Sequence, residues 1–129
     1  MSKRVLVVDD SSMMRKMIVK LLQPPGHIVV GQAKNGLEAI ELYKELKPDI
    51  VTMDITMRDM DGLAAAKEIL RYDKSAHIIF LSNLDEEVYR AEVEKLGARG
   101  FASKHKAKEI LDMIEEEEKQ QDEGQDSAV

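Results

Sequence analysis

Short apolar runs alternate with longer amphipathic stretches along most of this chain. Runs such as Val5-Leu6-Val7-Val8 and Ile50-Val51-Thr52-Met53 are rich in β-branched residues and too short for helices. They predict strands at Arg4–Asp9, Ile28–Gln32, Ile50–Asp54, His77–Leu81 and Gly100–Ser103. Between them, helical spacing predicts helices at about Ser12–Leu22, Gly36–Leu46, Gly62–Tyr72 and Asp85–Leu96, with a last one from about Ala107 to Lys119. Pro24-Pro25-Gly26 must end the first helix and Lys47-Pro48 the second, because proline lacks the backbone donor and its ring blocks the preceding turn. Asn35 is placed to cap the second helix, and Ser82 or Asn83 the fourth. Met13, Met14 and Met17, at helical spacing, are expected to fill the core. Alternating strands and helices imply an α/β fold with a parallel sheet covered on both faces. The first, third and fourth strands are apolar nearly throughout, which marks them as central.

Composition adds boundaries. At 129 residues, with 43% hydrophobic and 34% charged content, the chain suits one globular domain with its own core. The net charge of −6 is concentrated at one end. Seven of the 25 acids and one of the 19 bases lie in residues 115–129, leaving 18 of each sign in the rest. The body is therefore neutral, and no dense basic patch suggests nucleic acid. From Gln120 to Ser127 there is no apolar residue. The expected organisation is a domain over 1–119 and an acidic, disordered tail over 120–129. Without cysteine, disulfides and thiolate metal sites are excluded, which suits a reducing compartment. The start of the chain has no apolar core like a signal peptide's, and no stretch approaches the ~20 residues of a membrane span. A cytoplasmic location is the expectation.

The acids within the body are more informative. Asp9 and Asp10 directly follow the first strand's apolar run, and Asp54 ends the third strand. In an open parallel sheet, ligands bind beyond the carboxyl ends of the strands. Three carboxylates meeting there repel one another and raise their pKa values unless a cation offsets them. A hard divalent ion such as Mg²⁺, which takes carboxylate and phosphate oxygens, is the natural remedy. Ser82 and Lys104 fall at the ends of two further strands. Acids, a hydroxyl and one lysine on a single sheet edge are the parts needed for phosphoryl transfer to a carboxylate. Singly, each has a plainer reading: Asp9 or Ser82 as a helix cap, Asp10 as a first-turn acid, Lys104 as a solvated charge. The three histidines are scattered and indicate neither a metal cluster nor a phosphohistidine.

Taken together, Val7-Val8-Asp9-Asp10, the stretch from Asp54 to Gly62, Ser82 and Lys104 resemble the receiver domain of two-component response regulators. The resemblance spans residues 3 to about 118, and Lys44 to Met57 is especially similar to stand-alone chemotaxis regulators. It implies a flavodoxin-like, doubly wound sheet of five parallel strands in the order 2-1-3-4-5, with five helices. It further implies that Asp54 is the phosphoacceptor. Asp9 and Asp10 would hold Mg²⁺, with Asp54 and the backbone carbonyl of Thr56 as further ligands. Lys104 would pair with Asp54 or its phosphoryl group. Ser82 would bond that group on activation, and Phe101 would be the aromatic rotamer switch. The implied partners are a sensor histidine kinase or phosphotransfer protein, and a downstream protein docking on the face of helix 4, strand 5 and helix 5. Such a receiver assists its own phosphorylation and dephosphorylation but is not otherwise an enzyme.

Three positions depart from the family pattern. Arg58 replaces a proline in the loop after the acceptor, Asn83 replaces a small residue, and His105 follows Lys104 where a cis-proline is usual. A cis bond before a non-proline residue costs about 2.5–4 kcal/mol, so Lys104–His105 is either trans or strained. These changes motivate an alternative, a degenerate receiver that binds partners without phosphorylation. A small hydrolase with an aspartate nucleophile is disfavoured because the strand-end acids, Asp9-Asp10 and Asp54, lack that class's Asp-x-Asp around a single nucleophile, and the chain has little space for a substrate cap. A dinucleotide-binding domain is disfavoured because no glycine-rich loop follows the first strand. On the fourth helix, Tyr89 and Val93 lie off the Leu84-Val88-Ala91 stripe, which suggests outward apolar surface for docking.

Overall fold

Five parallel strands form the sheet in a computed structural model whose described residues are 2–82 and 86–115, with the side chains of 86–88 outside the description. They are β1 (Arg4–Val8), β2 (Ile28–Ala33), β3 (Ile50–Asp54), β4 (Ile78–Ser82) and β5 (Gly100–Ser103). Their spatial order is β2-β1-β3-β4-β5, as the resemblance implied. The helices are α1 (Ser12–Leu22), α2 (Gly36–Leu46), α3 (Gly62–Tyr72), α4 (Glu86–Leu96) and α5 (107–115). The predicted elements are all present, with shifts of one residue at some strand ends. β1 ends at Val8 because Asp9 has left the ladder, although its amide still bonds the Ala33 carbonyl at 3.0 Å. β4 runs from Ile78 to Ser82 rather than His77 to Leu81, which places the Ser82 side chain at the strand's last position. The predicted cap at Asn83, the stripe residue Leu84, the helix start at Asp85, the helix end near Lys119 and the tail over 120–129 lie outside the described residues.

Local sequence explains the helix ends. Ser11, Asn35 and Asp61 cap α1, α2 and α3, accepting the amides of Met14, Glu38 and Ala64. Lys47 closes α2 in the left-handed conformation at φ 47°, one residue before Pro48. The sheet separates two cores. Leu6, Val8, Val51, Met53, Ile78 and Phe80 face α2, α3 and α4, whereas Val5, Val7, Ile50, Ile79 and Leu81 face α1 and α5. Period-two alternation decides this partition, since neighbours on a strand point to opposite faces. β1, β3 and β4 are buried almost throughout, as their unbroken apolar runs predicted, and β2 and β5 are the half-exposed edges.

Two expectations about apolar side chains fail. Met13 is 73% exposed and Met17 53% exposed, and only Met14 is partly buried. The buried face of α1 is Met14, Ile18, Leu21 and Leu22, so Met13 and Met17 fall one row to the solvent side. Val93 is only 3% exposed, and Tyr89 packs half-buried against the α2–α3–α4 core. These two residues provide no outward apolar surface on α4, because its inward face is Tyr89, Val93 and Leu96. Among the described residues, no helix is long and apolar enough to cross a membrane.

Candidate functional site

The sheet order brings the carboxyl ends of β1 and β3 side by side, with Val8 in register with Met53. Asp9 and Asp10 follow one strand and Asp54 ends the other, so their carboxylates meet at this edge. Asp9, Asp10 and Asp54 each offer an oxygen within 4.8 Å of the others. Asp9 and Asp54 are buried and Asp10 is exposed. Two strands away, the end of β5 delivers Lys104, whose amide bonds the Ser82 carbonyl at 3.1 Å. The Lys104 ammonium reaches across to Asp9 Oδ2 at 2.9 Å and Asp54 Oδ1 at 3.1 Å. There is no cis peptide bond among the described residues, so Lys104–His105 is trans. The lysine reaches both acids nonetheless, which removes the difficulty that His105 posed. Ser103 Oγ accepts the His105 amide at 3.2 Å and fixes the turn that begins there.

Charge at this edge is not balanced. Burial pushes the Asp54 carboxyl up to about 6, the Asp9 charge adds to the rise, and Lys104 opposes it. Burial also works against the Lys104 ammonium, but the bonds and charges of Asp9 and Asp54 outweigh it and hold its pKa above the usual lysine range. Asp54 Oδ2 is buried with no hydrogen-bond partner among the described residues. A buried carboxylate oxygen in that state costs free energy, and such groups call for an explanation. Three convergent carboxylate oxygens beside a single ammonium are a hard donor set that fits Mg²⁺.

The other predicted residues lie around this centre. Ser82 is buried at the end of β4 and pairs in register with Ser103. Thr56 is exposed in the turn two residues beyond Asp54. Phe101 lies on β5 beside Phe80, half-buried against the α2–α3–α4 core rather than at the acidic edge. Arg58 is exposed on the loop from β3 to α3, where Asp59 takes φ 68°.

Two residues without an assigned role in the sequence shape the site. Gly62 brings α3 against the acceptor strand, and its amide bonds the Ile55 carbonyl at 2.7 Å. A Cβ at this position would lie 2.0 Å from the Asp54 carbonyl oxygen, so only glycine fits. Asp61-Gly62 is a cap followed by a required glycine, a signal that could have been read beforehand. Arg15 donates from Nη1 to the Asp9 carbonyl at 2.6 Å and from Nε to Gln32 Oε1 at 3.2 Å. No sequence signal joins Arg15 to Gln32, because the β1–β2 pairing alone makes them neighbours.

Known proteins share this fold. The family model described as the response regulator receiver domain matches residues 5–115. A chemotaxis protein CheY from Thermotoga maritima is 50% identical over 104 residues, 81% of this chain and 87% of that protein. The response regulator domain of Thermotoga maritima CheB superposes with a TM-score of 0.84 at 37% identity, covering 90% of this chain and 96% of that one. CheY in the CheX-CheY-BeF3-Mg+2 complex from Borrelia burgdorferi gives 0.82 at 33% identity, covering 86% and 85%. The chain belongs to the response regulator receiver domain family, and its place is in two-component, phosphorylation-dependent signalling.

Proposed function

We propose that this chain accepts a phosphoryl group on Asp54, with Mg²⁺ held by the acidic edge, and that the modification switches a protein-binding surface in chemotaxis-like signalling. The observation that carries the reading is Asp54 itself. One of its oxygens is paired with Lys104 and the other is buried without a hydrogen-bond partner among the described residues. Asp10, Asp54 and the backbone carbonyl of Thr56 would provide the metal's protein ligands, with Asp9 holding it directly or through water. Bound there, Mg²⁺ would spread charge from the phosphoryl oxygens. An Asp54 oxygen attacks phosphorus, the new O–P bond forming as the donor's bond to its leaving group breaks. Asp9 anchors Lys104 so that its ammonium faces both the carboxylate and the incoming phosphoryl group. Ser82 is the hydroxyl donor at the neighbouring strand end, and Phe101 reports the change on the β5 side. The CheY in the Borrelia burgdorferi complex, described with BeF3, Mg+2 and CheX, supports both the metal and a protein output.

The donors would be a sensor histidine kinase or a phosphotransfer protein, and the output face would be α4, β5 and α5. Val93 and Tyr89 give that face no support, so it rests on the family alone. The degenerate-receiver alternative has lost one of its motives, since Lys104 reaches Asp54 without a proline after it. Incubation with a small phosphodonor and Mg²⁺, followed by intact mass, tests the reading. A phosphate-sized gain is expected on wild type and none on Asp54→Asn. No gain on wild type, or equal gains on both, would sink it.

A further inference from the structure

We infer that Arg15 and Gln32 form a positioning pair that holds Asp9 and Asp10 in their metal-ready arrangement, a role that rests on the Mg²⁺ site proposed above. Asp9 is tied at several of its polar atoms. Its amide donates to Ala33 O at 3.0 Å, and its Oδ1 accepts the Ser11 amide at 2.9 Å. Oδ2 pairs with Lys104 at 2.9 Å, and its carbonyl accepts Arg15 Nη1 at 2.6 Å. The carbonyl bond is the one nearest to Asp10, because that carbonyl belongs to the peptide unit joining the two acids. Rotation of this unit would swing Asp10, the exposed and least restrained member of the trio. Asp10 itself has no hydrogen bond or ion pair assigned among the described residues.

Arg15 suits this role because its guanidinium is a rigid fork. One prong holds the carbonyl, and the other is held by Gln32 on β2, with Arg15 rooted on α1, where its amide bonds Ser11 O at 3.0 Å. Three elements are thereby tied at the turn carrying the acids. A lysine could reach the carbonyl with one donor but could not present a planar fork to both partners.

Charge alone predicts the opposite consequence. Removing a cation beside three carboxylates should tighten Mg²⁺ binding, whereas removing an anchor should loosen it. The sign of the change therefore separates positioning from electrostatics.

The test is a Mg²⁺ titration without phosphodonor, followed by amide NMR shifts of Asp10 and Asp54, on wild type, Arg15→Met, Arg15→Lys and Gln32→Leu. Expected are affinities weaker by about tenfold for Arg15→Met, with partial recovery in Arg15→Lys and a smaller loss in Gln32→Leu, which alters no charge. Unchanged or tighter binding by a folded Arg15→Met would overturn the inference, and should that variant not fold, unchanged binding by Gln32→Leu, on the exposed edge strand, would do so. Wild type that fails to bind Mg²⁺ at these residues overturns the metal site and the inference with it, whereas wild-type binding with indifferent variants overturns the inference alone.

Discussion

Asp54 and Asp73 occupy opposite ends of the same architecture and have opposite chemistry. Asp73 caps the end of α3, where Ser75 donates to one of its oxygens from both Oγ and amide, and Tyr43 donates to the other at 2.7 Å. Those bonds, led by the Ser75 hydroxyl, hold its pKa below the usual carboxylate value. Asp54 is buried among other acids, is raised to about 6, and has one oxygen without a hydrogen-bond partner among the described residues. At the end where Asp73 sits, the chain satisfies charge locally. Arg4 follows the same rule there, donating to the carbonyls of Leu46 and Lys47 at the end of α2. At the acceptor end, charge is left unbalanced, which is the usual mark of a functional site.

Lys104→Ala should have the largest effect on this contrast. It removes the cation that pairs with both the Asp9 and Asp54 carboxylates, and breaking a buried pair on one side costs roughly 3–5 kcal/mol. Chemical denaturation without Mg²⁺ should show that loss, and added Mg²⁺ should restore more stability to this variant than to wild type. An equal response to Mg²⁺ in both would mean that Lys104 and the metal do not share the same carboxylates.

Gly62→Ala comes next. Its Cβ has no room beside the Asp54 carbonyl, so the start of α3 must move, at a cost on the order of 1–3 kcal/mol. The same shift displaces the acceptor strand, so phosphorylation should slow as well as stability fall. A variant less stable but equally fast would show that α3 can move without Asp54.

The pH dependence gives a sharper contrast. In the folded protein Asp54 titrates at about 6, above the ordinary 3.8, so the folded state holds that proton more tightly than the unfolded one. Asp54's contribution without Mg²⁺ therefore falls as pH rises from about 4 to about 6, by on the order of 1–2 kcal/mol, and is flat above. Asp73 slopes the other way, losing stabilisation as pH falls through its lowered pKa. Denaturation midpoints of wild type and Asp54→Asn at pH 5 and pH 7.5 should diverge, with Asp54→Asn gaining relative stability at the higher pH. A constant difference would contradict the raised value.

Tyr43→Phe should be the smallest change, about 1 kcal/mol for a hydrogen bond lost to a partner that keeps its Ser75 bonds. Phosphorylation should be unaffected, because Tyr43 and Asp54 are at opposite ends of the fold. A change in phosphorylation rate would mean that the two ends are coupled through α2 and α3.

Much of this was legible in the residues. β-branched runs, proline breaks and the Asn35 cap located the elements because each acts within a few residues. The acids and Lys104 could be placed at strand ends for the same reason. Side-chain burial was harder to read. Met13, Met17, Tyr89 and Val93 went astray because a helix surface turns 100° per residue, and one row decides between core and solvent. Junction chemistry was also beyond local reading. The departure at His105 left the Lys104–His105 bond either trans or strained; it is trans, and Lys104 reaches its acids because the turn is set by Ser103 and by the pairing of β4 with β5.

By itself the sequence determined the alternation of strands and helices and which charged groups end the strands, since both follow from local periodicity and turn chemistry. The sheet order came only through family resemblance, because it depends on pairing between residues far apart in the chain. Tertiary structure alone decided that Lys104 touches Asp9 and Asp54, that Arg15 meets Gln32 behind the acids, and that both acids are buried. Those facts depend on how far apart β1, β3 and β5 lie and on how deeply their ends are buried, and distance and desolvation arise only when the chain has packed.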